Sequence, residues 1–185
     1  MQYEAQIGHL RHSHYIGLRE DKNSNEVIRE AGRHARRYNM VIRMRNFEWT
    51  EQQHGVFVPE IDREHQLIFT LCRNLQRALR GSAPAALVRS LVNELAVHSS
   101  EHFWHEERQM RATGYSFYAW HKQQHHSVRS KMTVLEARIR CGDRDAVCEL
   151  LAFLHGWLNH HIRLTDRMLG AYLRNRQREL TAKAS

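Results

Sequence analysis

The stretch LAVHSSEHFWHEERQM, residues 95–110, places apolar and ionisable side chains on one helical face. Leu95, His98, His102, Glu106 and Met110 follow one another at spacings of three and four residues, which is the repeat of one face of an α-helix. This face is apolar at both ends and polar in the middle. Because a buried imidazole or carboxylate is costly unless another group pairs with it, the pattern predicts partners on neighbouring helices.

Three other stretches repeat this spacing and alternate with short breaks at residues 81–84, 113–114 and 141–143. The four predicted buried faces, in chain order, are Ile61, His65, Ile68, Cys72, Leu75 and Leu79; Leu87, Leu91, Leu95, His98, His102, Glu106 and Met110; Phe117, His121, His125, Val128, Met132, Leu135 and Ile139; Val147, Leu151, Leu154, Leu158, His161 and Met168. Four long amphipathic helices joined by short loops predict an all-α, up-down-up-down four-helix bundle.

The domain organisation changes near residue 45. Residues 1–44 are polar, with more basic than acidic residues and no regular apolar face, so we expect a flexible extension. Residues 45–175 are predicted to form the bundle with an N-terminal arm, and residues 176–185 a polar C-terminal tail.

The composition limits the classes of function. No apolar run approaches the roughly 20 residues of a membrane-spanning helix, so no membrane partner is expected. The three cysteines form no CxxC pair, which favours a reducing compartment, and we expect a cytoplasmic protein. The net charge of +8 comes from bases interleaved with acids. This arrangement is typical of a solvated surface, so no nucleic-acid partner is expected.

Each predicted helix carries at least one side chain that can bind a metal on its inward face. These side chains are His65; His102 and Glu106; His121 and His125; His161 and Asp166. Residues four apart on a helix share a face, so the HxxxE and HxxxH pairs each offer two ligands to one cavity. Five imidazoles with two carboxylates suit a borderline metal such as Fe(II). Seven ligands are too many for one ion but suit two ions bridged by the carboxylates.

The fourth helix has an unusual spacing, because five residues separate His161 from Asp166. In a regular α-helix this spacing turns the aspartate about 140° away from the histidine. Either Asp166 reaches in from the flank, or the helix widens locally into a π-type turn, which often marks a functional site.

Two other metal motifs are excluded, one by a single residue and the other by the spacing of its ligand pairs. His105 and Glu106 begin an HExxH zinc motif, but Gln109 occupies its last position. The ferritin-like di-iron signature needs ExxH pairs, and the pairs in this chain are HxxxE and HxxxH.

The order of these motifs resembles that of the single-domain bacterial hemerythrins. The stretches that carry the resemblance are PEIDREHQ (59–66), HFWHEE (102–107), HKQQH (121–125) and WLNHHI (157–162), followed by Asp166. Trp49 and Gly55-Val56 resemble the N-terminal arm of that family. The likeness covers residues 45–172 and all seven metal positions.

The resemblance implies two iron ions per chain, bridged by Glu106, Asp166 and a hydroxide or oxo group. One iron would be held by His121, His125 and His161 and the other by His65 and His102. The second iron would then have one ligand fewer, and oxygen would bind reversibly at that position. The apolar wall of the oxygen pocket would comprise Phe103, Trp157, Leu158 and Ile162.

The resemblance therefore implies a non-enzymatic protein that carries, stores or delivers oxygen. Molecular oxygen would be its partner, together with oxygen-using enzymes if the role is delivery. The alternative is a di-iron sensor or an enzyme that handles peroxide, nitric oxide or iron. Of the other histidines, His98 is a candidate neighbour of the ligand His102. Surface or packing roles are predicted for His105, His126, His155 and His160.

Overall fold

The computed structural model describes residues 46–184 together with Arg29 and Gly32. The predicted flexible extension at residues 1–44 lies almost wholly outside the described residues, as do its four histidines. The helices are α1 (Glu51–His54), α2 (Pro59–Arg80), α3 (Ala85–Thr113), α4 (Tyr118–Arg140), α5 (Arg144–His161) and α6 (Arg167–Ala184). A π-helix, Ile162–Asp166, joins α5 directly to α6.

The long helices pack as consecutive antiparallel neighbours, α2 on α3, α3 on α4 and α4 on α5. The described residues contain no strand, which confirms the predicted all-α bundle. No helix in the described part of the chain is both long and apolar enough to cross a membrane.

Local sequence signals explain where the helices begin and end. Pro59 occupies the first turn of α2, where a missing N–H costs nothing. The Asp143 carboxylate caps α5 by accepting hydrogen bonds from the backbone N–H groups of Asp145 and Ala146. At the end of α3, Gly114 has φ +70°, a left-handed conformation that favours glycine. These signals keep the connecting loops short.

The predicted face of α3 is wrong at its N-terminal end. Leu87 is 49% exposed and Leu91 is only half-buried, whereas Val88 and Val92 are buried. At about 100° per residue, Leu87 lies about 80° from the direction of Leu95, and Val88 lies within about 20° of it. Each step of four residues adds about 40° beyond a full turn. The predicted face of α3 therefore drifted away from the side of the helix that is buried.

Two other predicted core residues are also exposed. Phe117 is 53% exposed because it precedes the first turn of α4 rather than belonging to its buried face. Met168 is 39% exposed because the π-helix adds one residue to the turn before it. Leu169 and Gly170 take the buried positions instead.

The arm, residues 46–58, packs across the start of α6. Phe47 and Val56 are buried, and the Asp62 carboxylate accepts hydrogen bonds from the backbone N–H groups of Val56 and Phe57. A Cβ at Gly170 would lie 2.4 Å from the Val56 carbonyl oxygen, so only glycine permits this approach. The arm therefore closes the bundle where the π-helix ends.

Removing residues 1–44 is expected to leave the helical content and the unfolding temperature nearly unchanged. Every buried core residue that the structure describes lies at Phe47 or later. Circular dichroism of the full-length and truncated chains would measure both properties. A truncated chain that aggregates or unfolds at a clearly lower temperature would place part of the fold before residue 45.

Candidate metal centre

Seven buried side chains from the four long helices and the π-helix converge between the helices. Their nitrogen and oxygen atoms form two groups, and within each group the atoms lie within 4.8 Å of one another. Glu106 and Asp166 belong to both groups. One group is completed by His121, His125 and His161. The other is completed by His65 and His102.

The imidazoles of the three-histidine group direct their Nε2 atoms at one point. His125 Nε2 lies 3.1 Å from His121 Nε2 and 3.3 Å from His161 Nε2. Asp166 Oδ1 lies 3.2 Å from His121 Nε2 and 3.0 Å from His161 Nε2. Glu106 Oε2 lies 3.3 Å from His121 Nε2 and 3.2 Å from His125 Nε2. A neutral imidazole has one donor and one acceptor nitrogen, so these nitrogens cannot all be satisfied by one another.

The same two carboxylates also lie near the imidazoles of the two-histidine group. Asp166 Oδ2 lies 3.3 Å from His65 Nε2, and Glu106 Oε2 lies 3.8 Å from His102 Nε2. The two carboxylates thus stand between the groups.

The π-helix brings Asp166 into this arrangement. Its wider turn carries the aspartate, five residues after His161, back to the same face of the helix. The structure therefore contains the second of the two alternatives that the sequence left open for Asp166.

Burial and charge act against each other in the centre. Burial opposes ionisation of both carboxyl groups, and each carboxylate also repels the other. The surrounding imidazoles nevertheless hold the pKa of Glu106 and of Asp166 well below the usual range. Burial likewise opposes protonation of His121, but Asp166 and Glu106 raise its pKa to about 9. A metal that binds His121 must therefore displace a proton at neutral pH.

The unpaired atoms of the centre fit a metal. Both oxygens of Glu106, both oxygens of Asp166 and Nε2 of His65 are buried and make no hydrogen bond to any described residue. Buried polar atoms are normally hydrogen-bonded, and a bound ion is one of the recognised explanations when they are not. Imidazole nitrogen with carboxylate oxygen suits iron, and the donor count suits two ions.

Comparison with known proteins assigns the family. The family model described as "Hemerythrin HHE cation binding domain" matches residues 56–173. The chain belongs to the hemerythrin family. The chain is 26% identical over 125 residues to a bacteriohemerythrin of Methylococcus capsulatus. This alignment covers 68% of this chain and 95% of that relative. A bacteriohemerythrin of Stenotrophomonas maltophilia is 32% identical over 113 residues, 61% of this chain and 72% of the relative.

The fold of this hemerythrin is similar to that of a solved member. A crystal structure of wild-type hemerythrin superposes with a TM-score of 0.64 at 25% sequence identity. The likeness covers 68% of this chain and 96% of the solved chain. This agreement confirms the bundle expected from the helical spacing.

Two carboxylates outside the seven residues contact the Nδ1 atoms of histidines in the two groups. Glu64 lies 2.9 Å from His102 Nδ1 and 2.5 Å from His105 Nδ1. Such contacts set the ring orientation of a metal-binding histidine and favour the tautomer whose Nε2 is free to bind. The sequence prediction missed Glu64, and it gave His105 only a surface or packing role.

The second of these carboxylates is Glu107. It lies 3.3 Å from His125 Nδ1 and accepts a hydrogen bond from the Arg129 guanidinium at 2.5 Å. Burial opposes ionisation of Glu107, but His125 and Arg129 lower its pKa to about 2. In the sequence, only its position next to Glu106 pointed to a role for Glu107. Its partners lie on another helix, and the spacing of residues within one helix does not predict such contacts.

Four further histidines of the described residues, His98, His126, His155 and His160, belong to neither group. His98 Nδ1 lies 3.1 Å from the exposed Glu101 carboxylate. The His155 ring packs edge-on against Phe47 at 5.4 Å, and His126 and His160 are exposed.

A small cavity adjoins the two-histidine group. It is lined by His65, Ile68, Ser99, His102, Phe103, Val128, Leu154, Trp157, Leu158, Ile162 and Asp166. The structure therefore places all four residues of the predicted apolar wall around it. Its free volume is about 10 Å³, room for about one water molecule. A larger groove between α3 and α4 is lined by residues such as Arg89 and Glu136, lies away from the centre and contains no histidine.

Proposed function

We propose that this hemerythrin binds oxygen reversibly at a non-haem di-iron centre and is not an enzyme. One iron would be held by His121, His125 and His161, and the other by His65 and His102. Glu106 and Asp166 would bridge them together with a hydroxide or oxo group. The paired irons would supply the electrons for reversible oxygen binding.

The position of the cavity carries this proposal. It adjoins His65 and His102, the two imidazoles of one group, whereas none of the three imidazoles of the other group lines it. A ligand that enters the cavity therefore approaches the side with fewer protein donors. The small volume favours a diatomic molecule over an organic substrate, which supports a binding function over an enzymatic one.

Aromatic packing fixes the walls of the cavity and excludes water. Phe103 stacks on His125 with ring centroids 4.3 Å apart, and Trp157 stacks on His161 at 4.2 Å. Phe103 and Trp157 also pack edge-to-face at 5.7 Å. The two rings thus orient ligand histidines and provide apolar wall, so the residues that surround the ligand also stabilise the centre.

Purified protein loaded with Fe(II) without air is expected to hold two irons per chain. Its absorption spectrum should change on exposure to oxygen and return when oxygen is removed, because the apolar walls oppose irreversible oxidation. His125→Ala should lower the iron content, since His125 lies in the three-histidine group. His126→Ala, at the exposed neighbouring position, is the matched control. One iron per chain, or a spectrum that oxygen changes irreversibly, would contradict the proposal.

A further inference from the structure

One of the four cavity residues that lie a single layer away from the ligand histidines is polar. Each long helix places one cavity residue three positions from a ligand histidine, so all four lie about 4.5 Å along the bundle from that histidine. These four residues, which we call the pocket layer, are Ile68, Ser99, Val128 and Leu158. Ser99 and Leu158 precede their histidines on the parallel helices α3 and α5, whereas Ile68 and Val128 follow theirs on α2 and α4. All four therefore lie at the same depth on the same side of the ligands.

Ser99 lacks the back-bond that several helical hydroxyl residues of the described chain make. Thr70, Ser127 and Thr133 each donate a hydrogen bond to the carbonyl oxygen four residues earlier. Ser99 is 4% exposed and lines the cavity, and its hydroxyl takes part in none of the side-chain hydrogen bonds of the described residues. A hydroxyl in a layer that is otherwise apolar is unfavourable relative to alanine unless a ligand or a water molecule pairs with it. A role for the hydroxyl in binding explains why a polar group stands in this layer.

We propose that the Ser99 hydroxyl donates a hydrogen bond to a small ligand with acceptor atoms in the cavity. The inference rests on the proposed function and adds a residue that sets which ligands the cavity prefers. Ser99 is the only hydroxyl-bearing residue among those that line the cavity, and a hydroxyl hydrogen rotates freely toward an acceptor. Since the other pocket-layer residues are apolar, Ser99 is the one member of this layer that can donate a hydrogen bond to an anionic ligand.

This donor should favour ligands that carry negative charge over neutral ligands of the same size. Hydrogen bonds to charged groups are about twice as strong as those between neutral groups. The preference should be large because the surrounding wall is apolar and excludes competing water. Azide, a small anion with terminal acceptor atoms, is a suitable probe.

The test is an azide titration of the iron-loaded, oxidised full-length protein. Ser99→Ala is expected to weaken azide binding about tenfold, the loss of one charge-assisted hydrogen bond. Ser99→Thr, which keeps the hydroxyl, should retain most of the affinity. Ser100→Ala is the matched control, because Ser100 is the exposed neighbour on the same helix and should not change it.

Two further measurements separate this role from packing. The infrared stretching band of bound azide should shift between H2O and D2O in the wild type, and this shift should disappear in Ser99→Ala. The metal-free Ser99→Ala chain should unfold at about the wild-type temperature, since the Ser99 hydroxyl takes part in none of the side-chain hydrogen bonds of the described residues. Equal azide affinity and an equal infrared shift in wild type and Ser99→Ala would overturn this inference alone. A wild-type chain that holds no iron pair would overturn the proposed function and this inference with it.

Discussion

Replacing Glu106 with Ala is expected to strip most of the iron from the protein. Glu106 is completely buried, and its Oε2 lies within 3.8 Å of imidazole nitrogens from both groups of ligands. Its loss removes one donor from each proposed iron site at once, and it leaves Asp166 as the only carboxylate between them. Asp166 is the one other residue of the seven whose replacement would remove a donor from both proposed sites.

Metal analysis after anaerobic loading would measure the effect, with circular dichroism to verify that the helices remain. Glu106→Gln, which is nearly the same size, separates loss of the charge from loss of packing. Glu94→Gln, an exposed position on the same helix, serves as the control and should keep its iron. If Glu106→Ala held as much iron as the wild type, the bridging role of Glu106 would be wrong.

Leu158→Ala is expected to keep both irons but to oxidise much faster in air. Leu158 is 3% exposed, lines the cavity and lies three residues before His161. Truncating a buried leucine leaves a cavity and costs about 2–5 kcal/mol where the surroundings cannot collapse. The enlarged pocket admits water and anions, which favour separation of charge and hence irreversible oxidation.

Stopped-flow mixing would give the two relevant rates. The oxidised Leu158→Ala protein should take up azide faster than the wild type, and the reduced protein should lose its response to oxygen sooner. A lowering of the barrier by about 1.4 kcal/mol corresponds to a tenfold faster rate. Leu154, one turn further from the centre, offers a comparison, because Leu154→Ala also creates space in the cavity wall. Unchanged rates in Leu158→Ala with intact iron would limit Leu158 to core packing.

The helical bundle and the convergence of the seven ligand residues could be predicted from sequence because both follow from spacing along single helices. His121 and His125, four residues apart, must share a face wherever their helix lies. The same reasoning failed at Leu87, where two steps of four residues each added about 40° over about two turns. It left two alternatives at Asp166, because local sequence does not say whether a helix will widen.

The contacts that orient the ligands could not be predicted in this way. Glu64 of α2 contacts His102 of α3, and Glu107 of α3 accepts a hydrogen bond from Arg129 of α4. Such pairs depend on the rotation of one helix against another, which spacing within a single helix does not determine. The polar member of the pocket layer was missed because the predicted face of α3 included His98, whereas Ser99 is the more deeply buried of the two.

The π-helix has a consequence for insertions and deletions in this part of the chain. Removing one residue between His161 and Asp166 would leave them four apart, the separation that His102 and Glu106 already have, so the ligand face would survive. The π-turn would become a regular α-turn, and every later residue would keep its direction relative to Asp166. Leu169 would then lie seven residues after His161 and stay on the buried face, and Gly170 would stay against the Val56 carbonyl. A deletion after Asp166 would instead rotate Leu169 and Gly170 by about 100° away from the arm. The π-turn therefore absorbs one extra residue within a single turn, and the contacts on either side of it keep the register of an uninterrupted helix.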